Sequence, residues 1–266
     1  MFLDKLHEEE LRQLTGCDYR SLMRIKQALS PYFPMNKPGR PYKYSLWTML
    51  IVTLIKLRGE AAYRSLQIFL RINFVTIHRY VNKICNLLAD MTLFQEAHHR
   101  YLIVDGTCVR VRSDDSSNYS GYKHHKNRKV QVIVDDQRRI VAVSRCHPGS
   151  VHDKKIWNHE YKLLEHLFDK IVLGDKGYAG GTGENKVLFR PIKRNEIEYK
   201  NKTEEAKAFN RELSRWRVTV EHVFAQLKTF KILRGIFPLK ASRFGTCFRA
   251  IAYIHNINLE VKNMKH

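Results

Sequence analysis

The spacing of apolar residues changes near residue 100, and this change constrains the fold more than any other feature of the sequence. Before it, apolar residues recur at helical spacing in SLWTMLIVTLIKL (45–57) and AAYRSLQIFLRINFVTIHRYVNKICNLL (61–88). After it, β-branched or alternating segments predict strands at YLIVDGTCVRV (101–111), KVQVIVDD (129–136), RRIVAVSRC (138–146) and IVL (171–173). The first three strands predict a meander, and VLFRPIK (187–193) predicts a further strand. Helices are predicted at 152–168 and from Thr203, and Ser45 is the predicted N-cap of the helix in 45–57. We therefore predict a helical domain over residues 1–98 and an α/β domain over residues 99–266, with helices on the faces of a sheet.

Positive charge runs through both predicted domains. The chain has 47 Lys and Arg against 26 Asp and Glu, a net charge of +21. Residues 1–100 contain 15 basic and 8 acidic residues (+7), which leaves 32 and 18 (+14) for the remainder. An excess of this size predicts a polyanionic partner, DNA or RNA. The alternative is a basic protein whose charge serves solubility alone.

A short turn at Ile72-Asn73 joins two predicted helices and predicts a helix-turn-helix in the helical domain. The candidate DNA contacts lie on the polar side of the second helix: Thr76, His78, Arg79, Asn82 and Lys83. Helical bundles contain similar turns, so packing without DNA recognition stays the alternative.

The sequence predicts a cytoplasmic protein without a membrane partner. The longest nearly apolar run, LWTMLIVTLI (46–55), is 10 residues long, too short to span a bilayer. The start, MFLDKLHEEE, is acidic where an export signal would be basic. Five scattered cysteines without a C-x-x-C pair fit a reducing compartment. A zinc site remains an alternative, although its candidate ligands lack the sequence spacing typical of zinc sites. These candidates are Cys108, His124, His125, Cys146 and His147.

Three acids occupy unusual places. Asp105 follows the strand YLIV, Asp175 follows IVLG, and Glu221 interrupts the basic helix SRWRVTVEHVFAQLK (214–228). Ligands bind at strand ends in open α/β sheets, so the two aspartates can project together if their strands are neighbours. By itself, Glu221 is also explained as an ion-pair partner of Arg217, one turn away.

Carboxylates that converge repel one another unless cations hold them. Their hard oxygen atoms favour Mg²⁺ or Mn²⁺. Two such ions can activate a water or a 3′-hydroxyl and stabilise the leaving oxygen of a phosphodiester. These three acids in a strongly basic chain therefore predict metal-dependent chemistry on nucleic acid.

Five blocks then carry a resemblance to a known family: VDGT (104–107), YSGYKHHKNRKVQVIVD (119–135), PGSVHD (148–153), GDKGY (174–178) and FNRELSRWRVTVEHVFAQLKTFKILRG (209–235). In these blocks the chain resembles the DDE-type transposases of the IS5-like and PIF/Harbinger-like group, also called DDE superfamily endonucleases. The resemblance implies a ribonuclease-H-like fold and a catalytic, metal-ligating triad of Asp105, Asp175 and Glu221. It also implies double-stranded DNA as substrate and a homodimer or larger assembly on paired DNA ends.

Other residues of these blocks are candidates for supporting roles. The candidate phosphate contacts, for which a solvated basic edge is the alternative, are Lys123, His124, Lys129, Lys176, Arg215 and Arg217. His152 and Asp153 begin a predicted helix. They are candidates for an accessory active-site role, although an acid at this position also favours the helix dipole.

The function expected from the resemblance is that of an insertion-sequence transposase. Its helix-turn-helix would find the element ends, and its α/β domain would cut and rejoin DNA. Two alternatives remain at this point: a catalytically silent DNA-binding regulator derived from such an enzyme, and a structure-specific nuclease without strand transfer. Metal-dependent nicking of DNA would exclude the silent regulator, and joined DNA products would exclude the nuclease without strand transfer.

Overall fold

The computed structural model describes residues 3, 5–34, 39, 41–59, 61–92, 101–160, 171–178, 188–192, 194 and 196–264. They form two compact units, one of Met1–Leu93 with Gln226–His266 and one of Phe94–Ala225. Among these residues, no helix combines the length and the apolar content that crossing a bilayer requires.

The helices and strands are as follows. Helices lie at Glu8–Thr15 (α1), Tyr19–Leu29 (α2), Leu46–Gly59 (α3), Tyr63–Leu70 (α4), Phe74–Asp90 (α5), Asp153–Glu160 (α6), Ile197–Asn201 (α7), Thr203–Leu227 (α8) and Phe244–Asn263 (α9). Strands lie at Tyr101–Val111 (β1), Tyr119–Ser120 (β2), His125–Asp135 (β3), Ile140–Val143 (β4), His147–Pro148 (β5), Ile171–Leu173 (β6), Leu188–Phe189 (β7) and Ile236–Phe237 (β8).

In the first unit, helices surround the apolar helix α3. Ser45 caps this helix as its sequence predicted, because the Thr48 N–H donates to Ser45 Oγ at 3.2 Å. Helix α5 packs along α9, and α2 also contacts α9. Residues 226–266 thus group with the N-terminal helices, whereas our predicted division put them in the domain 99–266. The assignment of functions to 1–98 and 99–266 stays a prediction.

Helices α4 and α5 are joined by a three-residue turn. Arg71 adopts a left-handed conformation (φ 55°), and the Asn73 side chain accepts the Val75 N–H at 2.9 Å, which caps α5. Arg79 and His78 are exposed, while Thr76 is half-buried. The pair of helices and its turn therefore lie where the sequence predicted them.

Lys83 is exposed, but its ammonium group already has partners within the first unit. Lys83 Nζ lies 4.0 Å from the ring centre of Phe33 and 5.1 Å from that of Tyr42, and donates to Tyr42 Oη at 3.2 Å. Asn82, beside it on α5, contacts His78 at 3.1 Å. Lys83 thus ties α5 to the segment before α3, and its DNA contact stays a prediction.

The second unit contains a mixed sheet with the order β2-β3-β1-β6-β7, in which β4 and β5 also pair with β3. Strands β1, β3 and β4 form the predicted antiparallel meander, and β6 and β7 continue the sheet in parallel. This confirms the predicted α/β class. The predicted strand 187–193 is described at β7, and residues 161–168 of the predicted helix 152–168 lie outside the described residues.

Apolar side chains of β1, β3, β4 and β6 build a core with α6. Leu102 and Val104 pack with Trp157 of α6 and with Tyr178. Helix α8 begins at Thr203 as predicted, and its Trp216 stacks on Tyr101 with ring centres 5.5 Å apart. Asp105 lies four residues beyond Tyr101 and therefore on the same face of β1.

Candidate active site

Asp105 on β1 and Asp175 just beyond the end of β6 lie at corresponding positions of two adjacent parallel strands. The last registered pair of β1 and β6 is Ile103 with Leu173, and each aspartate follows two residues later. The sequence placed Asp105 at a strand end, but β1 continues to Val111, because its other edge stays paired with β3 and Asp105 is opposite Val132. The predicted meeting of the two aspartates thus follows from parallel pairing, even though only β6 ends there.

Backbone N–H groups orient both carboxylates. Gly106 N–H donates to Asp105 Oδ1, and Gly177 N–H donates to Asp175 Oδ1, each at 2.7 Å. Such bonds stabilise the ionised form of a carboxyl group and fix its direction. The two glycines in VDGT and GDKGY therefore help to set the geometry of the acids.

The surroundings of Asp105 oppose its ionisation. The pKa of Asp105 is raised from 3.8 to about 6, mainly by burial and to a smaller extent by the charges of Asp175 and Asp153. The Gly106 N–H and the Arg217 guanidinium act in the opposite direction and lower it. Asp105 thus has two other carboxylates and one guanidinium within electrostatic reach.

Asp153 enters this acidic cluster from the start of α6. A Cβ atom at Gly106 would lie 2.3 Å from Asp153 Oδ1, so the carboxylate occupies space that only a glycine leaves open. Lys129 Nζ lies 3.3 Å from the same oxygen and 3.0 Å from the Val151 carbonyl. Within the described residues, the buried Asp153 Oδ1 accepts no hydrogen bond, whereas Lys129 Nζ donates to Asp153 Oδ2 at 3.4 Å.

Gln131 and Tyr178 complete the floor of the cluster. Gln131 Nε2 donates to Tyr178 Oη at 3.0 Å and also to the Asp153 carbonyl. Burial, followed by the charges of Asp153, Asp105 and Asp175, raises the pKa of Tyr178 well above its ordinary value. Sequence reasoning missed Gln131, although a polar residue inside the apolar run KVQVIVDD was the available signal.

Glu221 lies on α8, one turn from Arg217. Arg217 Nη2 lies 3.9 Å from Glu221 Oε1, and the Glu221 side chain is 60% exposed. In the described part of the chain, no three His, Cys, Asp or Glu side chains are close enough together to hold a metal ion, which applies to the triad and to the zinc alternative. The structure therefore brings Asp105 and Asp175 together, and it connects Glu221 to them through Arg217, whose charge acts on Asp105.

The remaining candidates lie at the surface or outside the described side chains. Lys123 lies 5.2 Å from the Tyr122 ring centre, and His124 is exposed with a left-handed backbone (φ 53°). Arg215 pairs with Glu212 at 3.4 Å. His152 is exposed, and the Lys176 side chain lies outside the described part.

A family model described as DDE superfamily endonuclease matches residues 104–256, more than half of the chain and including all three predicted acids. The chain belongs to the DDE superfamily endonucleases. Across its length this endonuclease is similar to two bacterial proteins. One, from Microchaete diplosiphon, is 25% identical over 96% of this chain and 99% of its own length, and is named as a transposase for insertion sequence element IS702. The other, from Streptomyces albus G, is 29% identical over 84% of both chains and is named as a transposase for insertion sequence element IS112. No solved structure matches this endonuclease.

Replacing Gly106 by alanine is expected to reduce DNA cleavage by this endonuclease roughly 10- to 100-fold, because the new Cβ displaces the Asp153 carboxylate and misaligned groups lose rate steeply. The measurement is the cleavage rate, together with the melting temperature to show that the fold persists. Gly59→Ala is the matched control, since a Cβ there meets nothing within 4 Å. Wild-type cleavage by Gly106→Ala would show that the position of Asp153 is immaterial.

Replacing Asp105 by asparagine is expected to raise the melting temperature near neutral pH in metal-free buffer. The folded pKa of about 6 exceeds the ordinary 3.8, so the wild type loses stability as pH rises from about 4 to 6, and the loss persists above. Asparagine avoids this loss, worth roughly 2–3 kcal/mol. Thermal unfolding of both proteins across pH measures the difference, which should nearly vanish below pH of about 4. An equal gain at all pH values would contradict the electrostatic cause.

Proposed function

We propose that this endonuclease is an insertion-sequence transposase that cleaves DNA and then transfers the cut strand. The observation that carries the proposal is the correspondence of Asp105 on β1 with Asp175, which lies two residues beyond β6, and the action of the Asp175 charge on Asp105. The family match and the two relatives named as transposases support it, since both relatives align over more than four fifths of the chain.

The catalytic unit is a ribonuclease-H-like domain in this proposal. An antiparallel meander of β4, β3 and β1 that continues into the parallel strands β6 and β7 is the sheet we expect of that fold. The position of Asp105 on the first strand and of Asp175 after the first parallel neighbour fits the predicted roles of these acids.

The chemistry of the donor set fits divalent metal ions. Carboxylate oxygens are the ligands that Mg²⁺ and Mn²⁺ prefer, and a bound cation relieves the repulsion and desolvation that raise the pKa of Asp105. Asp105 and Asp175 would hold the metal, and Glu221 would join them by leaving its exposed pair with Arg217. When bound, two such ions supply activation of the attacking oxygen and stabilisation of the leaving oxygen.

Two successive displacements at phosphorus account for the proposed reaction. In the first, a water oxygen attacks the phosphorus at the element end; the bond to the 3′ oxygen breaks, and that oxygen takes up a proton. In the second, the freed 3′-hydroxyl loses its proton and attacks a phosphorus of the target strand, whose own 3′ oxygen leaves. Lys129 and Asp153 act as positioning residues, since their ion pair lies against Gly106 beside the reacting centre.

The helical unit would select the DNA, and the protein would act as a homodimer or larger assembly. The turn between α4 and α5 and the exposed Arg79 and His78 support a helix-turn-helix there. Double-stranded DNA as partner fits the net charge of +21.

A joining reaction tests the proposal. The purified protein, Mg²⁺, a plasmid that carries the gene with its flanking DNA, and a second target plasmid are incubated, and junctions are sequenced. Joined junctions at defined ends support transposition. Cleavage without junctions would indicate a nuclease without strand transfer, and DNA binding without cleavage would indicate a catalytically silent regulator.

A further inference from the structure

Four apolar side chains are exposed on either side of the turn between α4 and α5. They are Ile68 and Phe69 at the end of α4, 64% and 77% exposed, and Phe74 and Val75 at the start of α5, 39% and 40% exposed. We call these four residues the turn patch. Single exposed apolar residues are ordinary, but four of them within eight positions indicate a binding surface.

Cationic side chains border the turn patch without a compensating acid. Residues 61–83 contain Arg64, Arg71, Arg79 and Lys83 and no Asp or Glu. The Arg64 guanidinium lies 5.9 Å from the Phe74 ring centre. Among the described residues, Arg79 has no ion-pair partner. Apolar side chains with arginines beside them, on a segment without acids, match a partner that is anionic at its rim.

Phe74 and Val75 belong to the outward face of α5. Ile77 and Val81 of the same helix are buried, whereas Phe74, Val75, His78 and Arg79 are exposed at i, i+4 spacing. The Gln67 side chain accepts the Phe74 N–H at 2.9 Å and the Asn73 side chain accepts the Val75 N–H, so both apolar residues stand on a fixed first turn. The exposed start of this helix therefore presents apolar groups and a cation together.

We propose that Phe74 and Val75 read thymine through its 5-methyl group in the major groove, while Arg79 and the neighbouring arginines bind the flanking phosphates. This inference rests on the proposed helix-turn-helix and names the bases that it selects. In the major groove, thymine presents a methyl group that apolar side chains contact, and the first residues of a recognition helix are those that reach base edges.

A second copy of the chain is a poorer occupant of the turn patch. A self-complementary interface places the same surface of two copies together, so the basic borders would meet each other with no carboxylate in 61–83 to pair them. Like charges brought together across an interface are unfavourable. Duplex DNA supplies phosphates to the same cations.

The test uses the full-length protein and duplexes selected by it from a short random-sequence pool. Each thymine of the selected duplex is replaced in turn by deoxyuridine, which removes only the methyl group. The wild type should lose affinity about three- to five-fold at one or two positions, the effect of exposing one buried methyl group. Val75→Ala and Phe74→Ala should bind the thymine and deoxyuridine duplexes equally, whereas Leu14→Ala, an exposed apolar residue of α1, should keep the wild-type difference.

Each alternative outcome has a defined meaning. A selected sequence without any deoxyuridine effect overturns thymine reading but leaves the proposed function intact. A deoxyuridine effect that persists in both variants assigns the reading to other residues and also overturns the inference. Failure to select any sequence counts against the helix-turn-helix itself. If Val75→Ala or Phe74→Ala abolishes self-association in sedimentation while selection is unchanged, the turn patch is an interface between copies.

Discussion

Asparagine in place of Asp105 or of Asp175 is expected to reduce metal-dependent DNA cleavage roughly a thousand-fold or more, since groups that act as one catalytic unit fail together. DNA binding should change little, because the two aspartates lie in an acidic cluster and phosphates are held by cations. Cleavage rates and filter-binding affinities of the same preparations separate the two effects. Asp114→Asn is the matched control, since Asp114 is exposed in the loop after β1.

Glu221→Gln decides whether the third predicted acid acts in catalysis together with Asp105 and Asp175. If Glu221 ligates metal during the reaction, its loss should be as severe as that of Asp105. If Glu221 serves only the exposed pair with Arg217, the cost is confined to stability and stays below about 1 kcal/mol. Cleavage at near the wild-type rate with a slightly lowered melting temperature would remove Glu221 from the site.

Raising the salt concentration from 50 to 200 mM is expected to weaken DNA binding by roughly 10³- to 10⁵-fold, the behaviour of a protein with about 6–10 phosphate contacts. The expectation follows from the net charge of +21 and from its distribution over the whole chain. Affinity for one duplex, measured at several salt concentrations, gives the slope. A shallow slope would show that most of the basic residues face solvent without touching DNA.

Arg217→Gln should reduce this slope by about one unit if Arg217 holds a phosphate beside the aspartates. Arg20→Gln is the matched control, because Arg20 is exposed on α2 and is not among the candidate phosphate contacts. An unchanged slope in Arg217→Gln, with a lower melting temperature, would instead assign Arg217 to the Glu221 ion pair and to the stabilisation of α8.

Local patterns in the sequence were sufficient to predict most helices and strands and the meeting of Asp105 and Asp175. Alternating residues predicted the meander, and an acid directly after each of the segments YLIV and IVLG pointed to Asp105 and Asp175. The one further assumption was that β1 pairs with β6. The Ser45 cap and the start of α8 at Thr203 could likewise be predicted, because helix capping depends on residues that are close in the sequence.

Contacts between segments that are distant in the sequence could not be predicted from the same patterns. Nothing local in PGSVHD shows that Asp153 lies against Gly106, 47 positions earlier, or that Lys129 balances it. Helical spacing placed Lys83 on the polar side of α5 but did not show its contacts with Phe33 and Tyr42, which come from another segment. Such contacts depend on how the elements pack, and helical or strand periodicity says only which face of an element is buried.

The return of α9 to the N-terminal helices has a consequence for synthesis on the ribosome. Helix α5 packs along α9, and α9 spans residues 244–263, so the helical unit is complete only when nearly the whole chain has been made. Domains fold as units as they emerge, and the α/β segment between residues 94 and 225 is translated before that point. A nascent chain would thus have Asp105 and Asp175 in place before α9 packs against α5, the helix that we propose to recognise DNA. If that proposal holds, DNA recognition would be acquired after the α/β segment has been made.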